Sequence, residues 1–533
     1  MSIRTLVRKL KIEGSFMRWI KLFLILLMIS LVSLNIDSQQ VNTLYFMENI
    51  PVRHFLNPSF QPTNDFYLSL PVVGFTQFNI GNNSVSLKDI IYNVNGKTIT
   101  FLNTNGDIGL FYNTLKSNTI IRTDFQTNLL SFGFRQNTAY WTFSVTEKID
   151  GTMNLPKDIF KISLFGTPDP QNNSFNFRSL QSNVSVYTEI ALGYSKKLDD
   201  TWRIGGKLKL LLGQANISNN NNQFLLQAGT NEWNIKGDGT LNMAIPGKLT
   251  VGTNFQNISY TKPAGILDWI NPTGIGAGID VGVEYRLNDK IKLSGALNDI
   301  GFIRWMRNSQ NYHYGVDYSF SGIKLFNSNS TINTFQDVYN QLFLHNALVD
   351  TIVTAFNSSS KTNITSNSYT TATTAKLNLG FEYSILNNKL SFGILSYSQL
   401  FKNIISEEIT GSLNARPYKW LNGSLSYSVI QGRMSTLGAG LGLKTGIFNW
   451  FIAADYIPFE KSTLSLTDLD PNYPKINIPI PYNSTTFNVS AGLNLVFDKK
   501  NDKSDKITRH RSLNLSNGLF RSSKKQDCNC DWK

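Results

Sequence analysis

Histidine and cysteine are scarce in this sequence, and their spacing forms no recognised catalytic motif. The four histidines are His54, His313, His345 and His510. A hydrolase triad needs a histidine beside a serine nucleophile and an orienting polar group. Only His313, in "NYHYGVDYSF", falls in a stretch that reads as a strand. We therefore expect no enzymatic activity, no catalytic residue and no resident cofactor.

Two further motifs invite a chemical interpretation and do not support one. Gly274, Gly276 and Gly278 in "GIGAGID" have the spacing of a dinucleotide loop, but an alternating strand pattern follows them instead of a helix. Glycines in barrel strands more often mark bends or close packing. Cys528 and Cys530 could bind a metal or carry a lipid, but no histidine or third cysteine lies beside them. We expect no metal site, and we place these cysteines in an exposed tail.

The composition is unusual for a soluble protein. Charged residues make up 16% of the chain and aromatic residues 12%, whereas soluble proteins average about 25% charged residues. The hydrophobic fraction of 41% argues against disorder. Much of the net charge of +14 lies at the two ends, since residues 498–533 alone hold ten Lys or Arg against five Asp. No nucleic-acid motif accompanies it, so we expect no nucleic-acid partner.

The beginning of the chain has the layout of a secretory signal peptide. Residues 17–40 contain a basic flank, an apolar core from Leu22 to Leu34, and the small residue Ser38. A retained membrane anchor would need about 20 apolar residues, and this core is shorter. We predict a cleaved signal peptide over residues 1–38, with Met17 as an alternative start.

Period-2 alternation recurs along the rest of the chain. Ile279, Val281 and Val283 alternate with polar residues and glycine, and the same pattern covers residues 376–383 and 485–497. Segments of about ten residues with this pattern are typical of membrane-spanning β-strands. Short polar turns near residues 199, 288, 387, 416 and 445 separate them.

Charge and tryptophan positions agree with hairpins of this kind. Two pairs of opposite charge are predicted to lie directly opposite each other on the polar face: Glu189 with Lys209, and Glu284 with Lys292. Three tryptophans, each on an apolar face just after a short turn, predict an interfacial aromatic girdle at one end: Trp141, Trp202 and Trp450.

The sequence therefore predicts an all-β fold, a closed antiparallel transmembrane β-barrel of about 14–16 strands over residues 66–497. A long external insertion at about 300–373 carries a small helix over 335–356, either at the barrel mouth or packed on a loop. Two interpretations of residues 39–65 stay open: a plug inside the barrel, or a periplasmic arm. Residues 498–533 are predicted to form a basic periplasmic tail.

Four stretches resemble an uncharacterised family of Bacteroidota outer-membrane β-barrels. They are "NTLYFMENIPVRHFLNPSF" (42–60), "YTEIALGYSKKLDDTWRIGGKLKLLLGQAN" (187–216), "GIDVGVEYRLNDKIKLSGALNDIGFIRW" (278–305) and "STLGAGLGLKTGIFNWFIAADYIPF" (435–459). That family is similar in turn to the long-chain fatty-acid transporter fold and to the shuttle barrel of the type IX secretion system. The resemblance implies the fold but no activity.

Two functions follow as expectations from the predicted barrel. The first is a channel or transporter for small or hydrophobic molecules. The alternative is a non-transporting scaffold or accessory barrel of a secretion or surface-assembly machinery. Either would lie in the bacterial outer membrane with both termini periplasmic. The expected partners are outer-membrane lipid, the barrel-assembly machinery and, through the tail, periplasmic or secretion-system proteins.

Overall fold

The computed structural model of the chain describes most of the predicted barrel. It covers residues 42–94, 97–167, 173–229, 232–251, 258–265, 271–320, 363–401, 404–430, 433–457, 461–465, 477–481 and 485–498. The predicted signal peptide, the predicted helix over 335–356 and the predicted tail with Cys528 and Cys530 lie outside the described residues, as do His345 and His510.

Fourteen antiparallel strands among the described residues close into one ring. The first strand, β1, has two parts, Phe66–Ser69 and Thr76–Asn82. The others are β2 Asn118–Gln136, β3 Ala139–Pro156, β4 Gln181–Lys197, β5 Trp202–Ala228, β6 Gly274–Arg286, β7 Ile291–Trp305, β8 Ala375–Ile385, β9 Leu390–Phe401, β10 Ile404–Tyr418, β11 Leu421–Ile430, β12 Arg433–Thr445, β13 Phe448–Ile457 and β14 Thr486–Phe497. The ring closes because Asn79 of β1 pairs with Asn488 of β14 on one side and Asp124 of β2 on the other.

Besides the 14 strands of the ring, the described residues form several helices and further strands. The helices are α1 Leu87–Ile90, α2 Ile108–Thr114 and α3 Lys157–Phe165, with 3-10 turns at Thr43–Phe46 and Pro51–Phe55. The remaining strands are Ile91–Val94, Lys97–Thr100, Ser174–Asn176, Trp233–Ala244, Lys248–Val251, Ile258–Thr261, Ser309–Phe320, Asn363–Thr365, Tyr369–Ala372, Lys461–Ser465 and Asn477–Pro481. No helix in the described part of the chain combines the length and apolar character needed to cross a membrane.

Each strand of the ring turns its polar face inward. In β14, Asn488 and Asn494 are fully buried, whereas Phe487 is 39% exposed and Phe497 is 41% exposed. This is the phase that the alternation predicts, and it is confirmed. Asn494 is held in its inward position, because the Ser69 hydroxyl donates a hydrogen bond to its side-chain oxygen.

The short connections lie at one end of the ring, which we call the short-turn end. They span residues 136–139, 197–202, 286–291, 385–390, 418–421 and 445–448. Four of the five predicted turns fall in these spans, and the turn predicted near residue 416 lies two residues later, at 418–421. Trp141, Trp202 and Trp450 face outward at this end, as predicted. Two of them contact outward tyrosines of neighbouring strands: Trp141 lies 4.7 Å from Tyr194 and Trp202 lies 4.4 Å from Tyr285, measured between ring centroids.

The predicted cross-strand register of the first charge pair is wrong by two residues. Glu189 lies opposite Leu211 because the last pair of that hairpin, Lys197 with Arg203, is centred one residue later than expected. The ion pair forms nonetheless, since the Lys209 ammonium reaches diagonally to within 3.3 Å of the Glu189 carboxylate.

The second predicted pair does not form. Glu284 lies opposite Ser294, and its carboxylate binds Arg203 of the other neighbouring strand at 3.1 Å. Lys292 instead lies opposite Arg286 and forms ion pairs with other carboxylates inside the barrel. The cause is the same shift of the hairpin centre, which alternation alone does not determine.

The "GIGAGID" stretch is the start of β6, so the interpretation as close packing is confirmed. A Cβ atom on Gly274 would lie 2.8 Å from the Trp305 indole, and Gly213 of β5 faces the same ring. Trp305 is fully buried inside the ring. The glycines therefore make room for an indole rather than for a phosphate.

The facing of β14 can be tested by cysteine labelling in a background with Cys528 and Cys530 replaced by serine. Leu493→Cys is expected to react with a membrane-permeant maleimide in the folded protein, because this position faces outward. Asn494→Cys is expected to stay unlabelled until the protein is denatured. Equal labelling of the two folded variants would contradict the phase of the strand.

Candidate functional site

A segment of the chain before the first strand fills the short-turn half of the ring. We call residues 42–65 the luminal segment. Its apolar side chains form one buried cluster with inward residues of the wall. The cluster comprises Leu44, Tyr45, Phe46, Met47, Ile50, Val52, Leu56, Phe60, Phe75, Leu395, Phe451 and Ala453. Burial of these apolar side chains lowers the free energy of the state in which the segment lies inside the ring, relative to the state in which it is exposed to water.

The wall also satisfies the backbone of the luminal segment. The Arg416 guanidinium donates to the Phe46 carbonyl at 2.6 Å. The side-chain amides of Asn298 and Asn378 both donate to the Leu56 carbonyl, at 2.8 and 3.1 Å. Irregular backbone is stable away from water only where such partners exist. The polar inward face of the barrel thus supplies the hydrogen bonds that the segment lacks.

Glycines in the wall create the space for the segment. A Cβ atom on Gly393 would lie 2.7 Å from the Phe46 ring, and one on Gly442 would lie 2.7 Å from Ile50. The same holds where Gly205 faces the Pro58 carbonyl and Gly282 faces Asn57. Glycine weakens a strand and is found where another backbone approaches closely. These positions are therefore shaped to the luminal segment.

A charged anchor holds the segment near its first 3-10 turn. The Glu48 carboxylate forms an ion pair with Lys292, lies 3.8 Å from Arg416, and accepts a hydrogen bond from the Asn388 amide at 2.9 Å. Burial alone would raise the pKa of Glu48, but Arg416 and Lys292 outweigh it and hold the pKa below its ordinary value. The anchor is therefore fully present above the ordinary carboxyl pKa and is lost only as the pH falls through the lowered one.

The two described histidines do not form a catalytic arrangement. His54 is buried in the luminal segment, and its Nε2 lies 2.6 Å from the Tyr67 hydroxyl. Burial, with Lys207 nearby, lowers the pKa of His54, so it is neutral at pH 7. His313 lies on the strand Ser309–Phe320, where its Nδ1 is 3.0 Å from the Thr240 hydroxyl. The described residues contain no group of three or more His, Cys, Asp or Glu able to hold a metal ion.

A network of buried ion pairs lies next to the luminal segment, further from the short-turn end. Lys148, Lys209 and Lys376 converge on the Asp299 carboxylate, at 3.0, 2.6 and 3.3 Å. Lys209 also binds Asp280 at 2.7 Å. We call this ion-pair network, completed by Glu189 and Asp124, the charged layer. Lone charges at this depth are unfavourable, so each is matched by a partner.

The geometry of the charged layer depends on a β-bulge in β7. The register with β6 shifts at this point, and Asp299 has a positive φ of 58°. The Asp299 backbone N–H donates to the Asp280 carboxylate at 2.7 Å. A bulge re-aims side chains, so Asn298 and Asp299 both point inward, one to the luminal segment and the other to the lysines.

Little free volume remains at this level. The cavity between Phe55 and the charged layer measures about 30 Å³, enough for about one water molecule or two. Lys207 closes it from one side, with its ammonium 4.5 Å from the centre of the Phe55 ring. Of the charged layer, only the pair of Glu189 with Lys209 was predicted from the sequence. The available signal was the recurrence of lysine and carboxylate residues in the middle of alternating strands.

These features define a closed antiparallel β-barrel with a filled lumen. The chain belongs to a family of unknown function (DUF5723), whose model matches residues 58–455. No curated protein matches the chain. The Bacteroidota origin and the likeness to a type IX shuttle barrel stay predictions.

Several solved structures are similar in fold. The toluene transporter TbuX of Ralstonia pickettii is 8% identical with a TM-score of 0.37, over 84% of this chain and 94% of that one. The toluene transporter TodX of P. putida is 9% identical with a TM-score of 0.36, over 86% and 95%. A FadL homologue of Pseudomonas aeruginosa is 10% identical with a TM-score of 0.36, over 87% and 100%. At these TM-scores the likeness is too loose to assign a function.

The fit between the wall and the luminal segment can be tested with two glycines on adjacent strands. Gly393→Val should displace the Phe46 ring and make the segment sensitive to protease in the folded barrel. Gly411→Val is the matched control, because a Cβ atom there meets nothing within 4 Å. Limited proteolysis followed by mass spectrometry measures the difference. Equal protection of the segment in both variants would contradict the packing.

Proposed function

We propose that this protein is an outer-membrane transport barrel for small polar solutes, in which the luminal segment is the gate. The observation that carries the proposal is the polar inward face. Its buried side chains are mainly Asn, Ser, Thr and charged residues, for example Asn414, Asn422, Ser424 and Ser428. A polar lining favours polar solutes over the hydrophobic ones that the sequence also suggested.

The outward face supports a place in the membrane. Leu208 is 67% exposed and Leu425 is 60% exposed, and both belong to a band of outward apolar residues around the ring. Soluble monomers rarely expose apolar area on this scale. In lipid, a closed ring satisfies every backbone N–H and C=O group. The aromatic residues at the short-turn end match the girdle of an interface.

The short-turn end also supports the orientation. β1 begins at Phe66 and β14 ends at Phe497, both at this end. Bacterial barrels carry short turns on the periplasmic side. Both termini are therefore periplasmic in our proposal, which leaves the tail after residue 498 on the same side.

A second candidate function has one observation in its favour. The lumen is filled at two levels, so this state of the barrel has no open pore in its described part. A scaffold or accessory barrel of a secretion or surface-assembly machinery needs none. In that case the tail would bind periplasmic partners, and the barrel-assembly machinery would insert the protein in the same way.

Membrane insertion is tested on β13. Ile452→Arg places a charge on the outward face, where Ile452 is 49% exposed, and should cost about 2–4 kcal/mol near the membrane midplane. Ile452→Leu should cost little. The measurement is unfolding of the purified barrel in lipid vesicles, with the gel shift between unboiled and boiled samples as the folding control. Recovery of the wild-type protein in a soluble fraction would contradict the proposal.

The gate is tested by locking it. Thr43 and Ser426 have hydroxyl oxygens 2.7 Å apart, so Thr43→Cys with Ser426→Cys should tie the luminal segment to β11 by a disulfide. In vesicles we expect a neutral pentose to enter when the pair is reduced and to be excluded when it is oxidised. The single Thr43→Cys variant controls for the oxidant. Absence of uptake in the reduced, folded protein would favour the scaffold.

A further inference from the structure

Two contacts in the barrel join strands on opposite sides of the ring. The Arg122 guanidinium of β2 donates to the Gln399 side-chain oxygen of β9. These are the second and ninth strands of a ring of 14, so half of the ring separates them. The Lys376 ammonium of β8 also binds the Asp124 carboxylate of β2, at 3.1 Å. Inward side chains of facing walls therefore meet directly, which requires the lumen to be narrow at this level.

These contacts belong to the wall and not to the luminal segment. We propose that Arg122, Asp124, Lys376 and Gln399, which we call the transluminal bridge, are a second permeability barrier in series with the luminal segment. The proposal rests on the transport function proposed above and adds where a solute is stopped. Withdrawal of the luminal segment alone would leave the bridge in place, so a solute would pass only during the rarer events in which the bridge side chains also separate.

The bridge does not depend on the segment, because the ion pairs of Lys376 and the hydrogen bonds of Gln399 go to other wall residues. Arg122 and Gln399 are both buried, and the Gln399 amide donates to the Tyr397 hydroxyl at 2.7 Å. Lys376 lies 3.1 Å from Asp124 and 3.3 Å from Asp299, so the bridge continues into the charged layer. Removing Asp124 or Lys376 would weaken the charge balance of this ion pair, whereas removing the luminal segment breaks none of these contacts.

The bridge also predicts the charge preference of an opened barrel. If Asp124 is removed, the Lys376 ammonium loses one carboxylate and the constriction gains positive charge. If Lys376 is removed, the Asp124 and Asp299 carboxylates lose their shared cation and the constriction gains negative charge. A purely structural role of these residues would not give opposite ion selectivities in the two variants.

The test compares four proteins in planar bilayers. They are the wild type, a deletion of residues 42–61, the triple substitution Asp124→Ala, Lys376→Ala and Gln399→Ala, and the two changes combined. We expect little conductance from the first three and at least a tenfold higher conductance from the combined protein. In the matched control, the deletion of residues 42–61 is combined with Thr123→Ala instead of the triple substitution. Thr123 lies next to the bridge and faces outward, so this protein should conduct as little as the deletion variant.

The outcomes separate the two proposals. Full conductance from the deletion variant alone would overturn the bridge and leave the transport function standing. Absence of conductance from all four proteins, each with the gel shift of a folded barrel, would contradict the transport function itself. In the combined background, Asp124→Ala with Lys376 retained should favour anions, and Lys376→Ala with Asp124 retained should favour cations, measured as reversal potentials of opposite sign.

A second measurement keeps the proposal testable if the deletion variant fails to fold. Arg122→Cys with Gln399→Cys, in the background lacking Cys528 and Cys530, should be cross-linked when a short bis-maleimide is added during refolding, because both positions are buried once the barrel has closed. In the control pair, Arg122→Cys is combined with Ser426→Cys of β11, a strand that contributes no member of the bridge, and this pair should not be cross-linked. A refolded first pair with no cross-link would overturn the bridge.

Discussion

Closure of the strand ring is the constraint on which the rest of the structure depends. The seam between β1 and β14 is the critical place, because β1 is interrupted between Ser69 and Thr76 and contains Pro71. Proline cannot donate to a ladder. The seam stays closed because the Leu493 N–H donates to the Val73 carbonyl at 2.8 Å and the Val72 N–H donates to the Asn128 carbonyl at 2.7 Å. No strand edge is then left without a partner at this point.

A closed ring creates a second requirement, which is to satisfy its polar inward face. The luminal segment and the charged layer do this in different ways. The segment brings carbonyl groups and apolar side chains to a wall of amides and glycines. The charged layer pairs lysines with carboxylates from strands that are distant in the ring. Together they turn a potential pore into a packed interior, so that conduction needs a rearrangement of side chains as well as of the segment.

The sequence predicted the barrel wall well because the wall obeys local rules. Alternation determines which face a residue occupies, and the phase of β14 and the outward position of Trp141, Trp202 and Trp450 followed from it. The register of the hairpins was less predictable. It depends on the number of residues in each turn. The predicted turn centre was wrong by one residue, and Glu284 therefore pairs with Arg203 instead of the predicted Lys292.

The sequence by itself determined the strands, their facing and the end of the barrel that carries the aromatic girdle, because these depend on neighbours within a few residues. Only the tertiary structure decided what occupies the lumen. Whether residues 42–65 enter it depends on glycines such as Gly205 and Gly393, which come from strands far along the chain. The meeting of Arg122 with Gln399 depends on the strand count and on the shape of the cross-section. Period-2 alternation shows that both side chains face inward and carries no information about which side chain lies across the lumen.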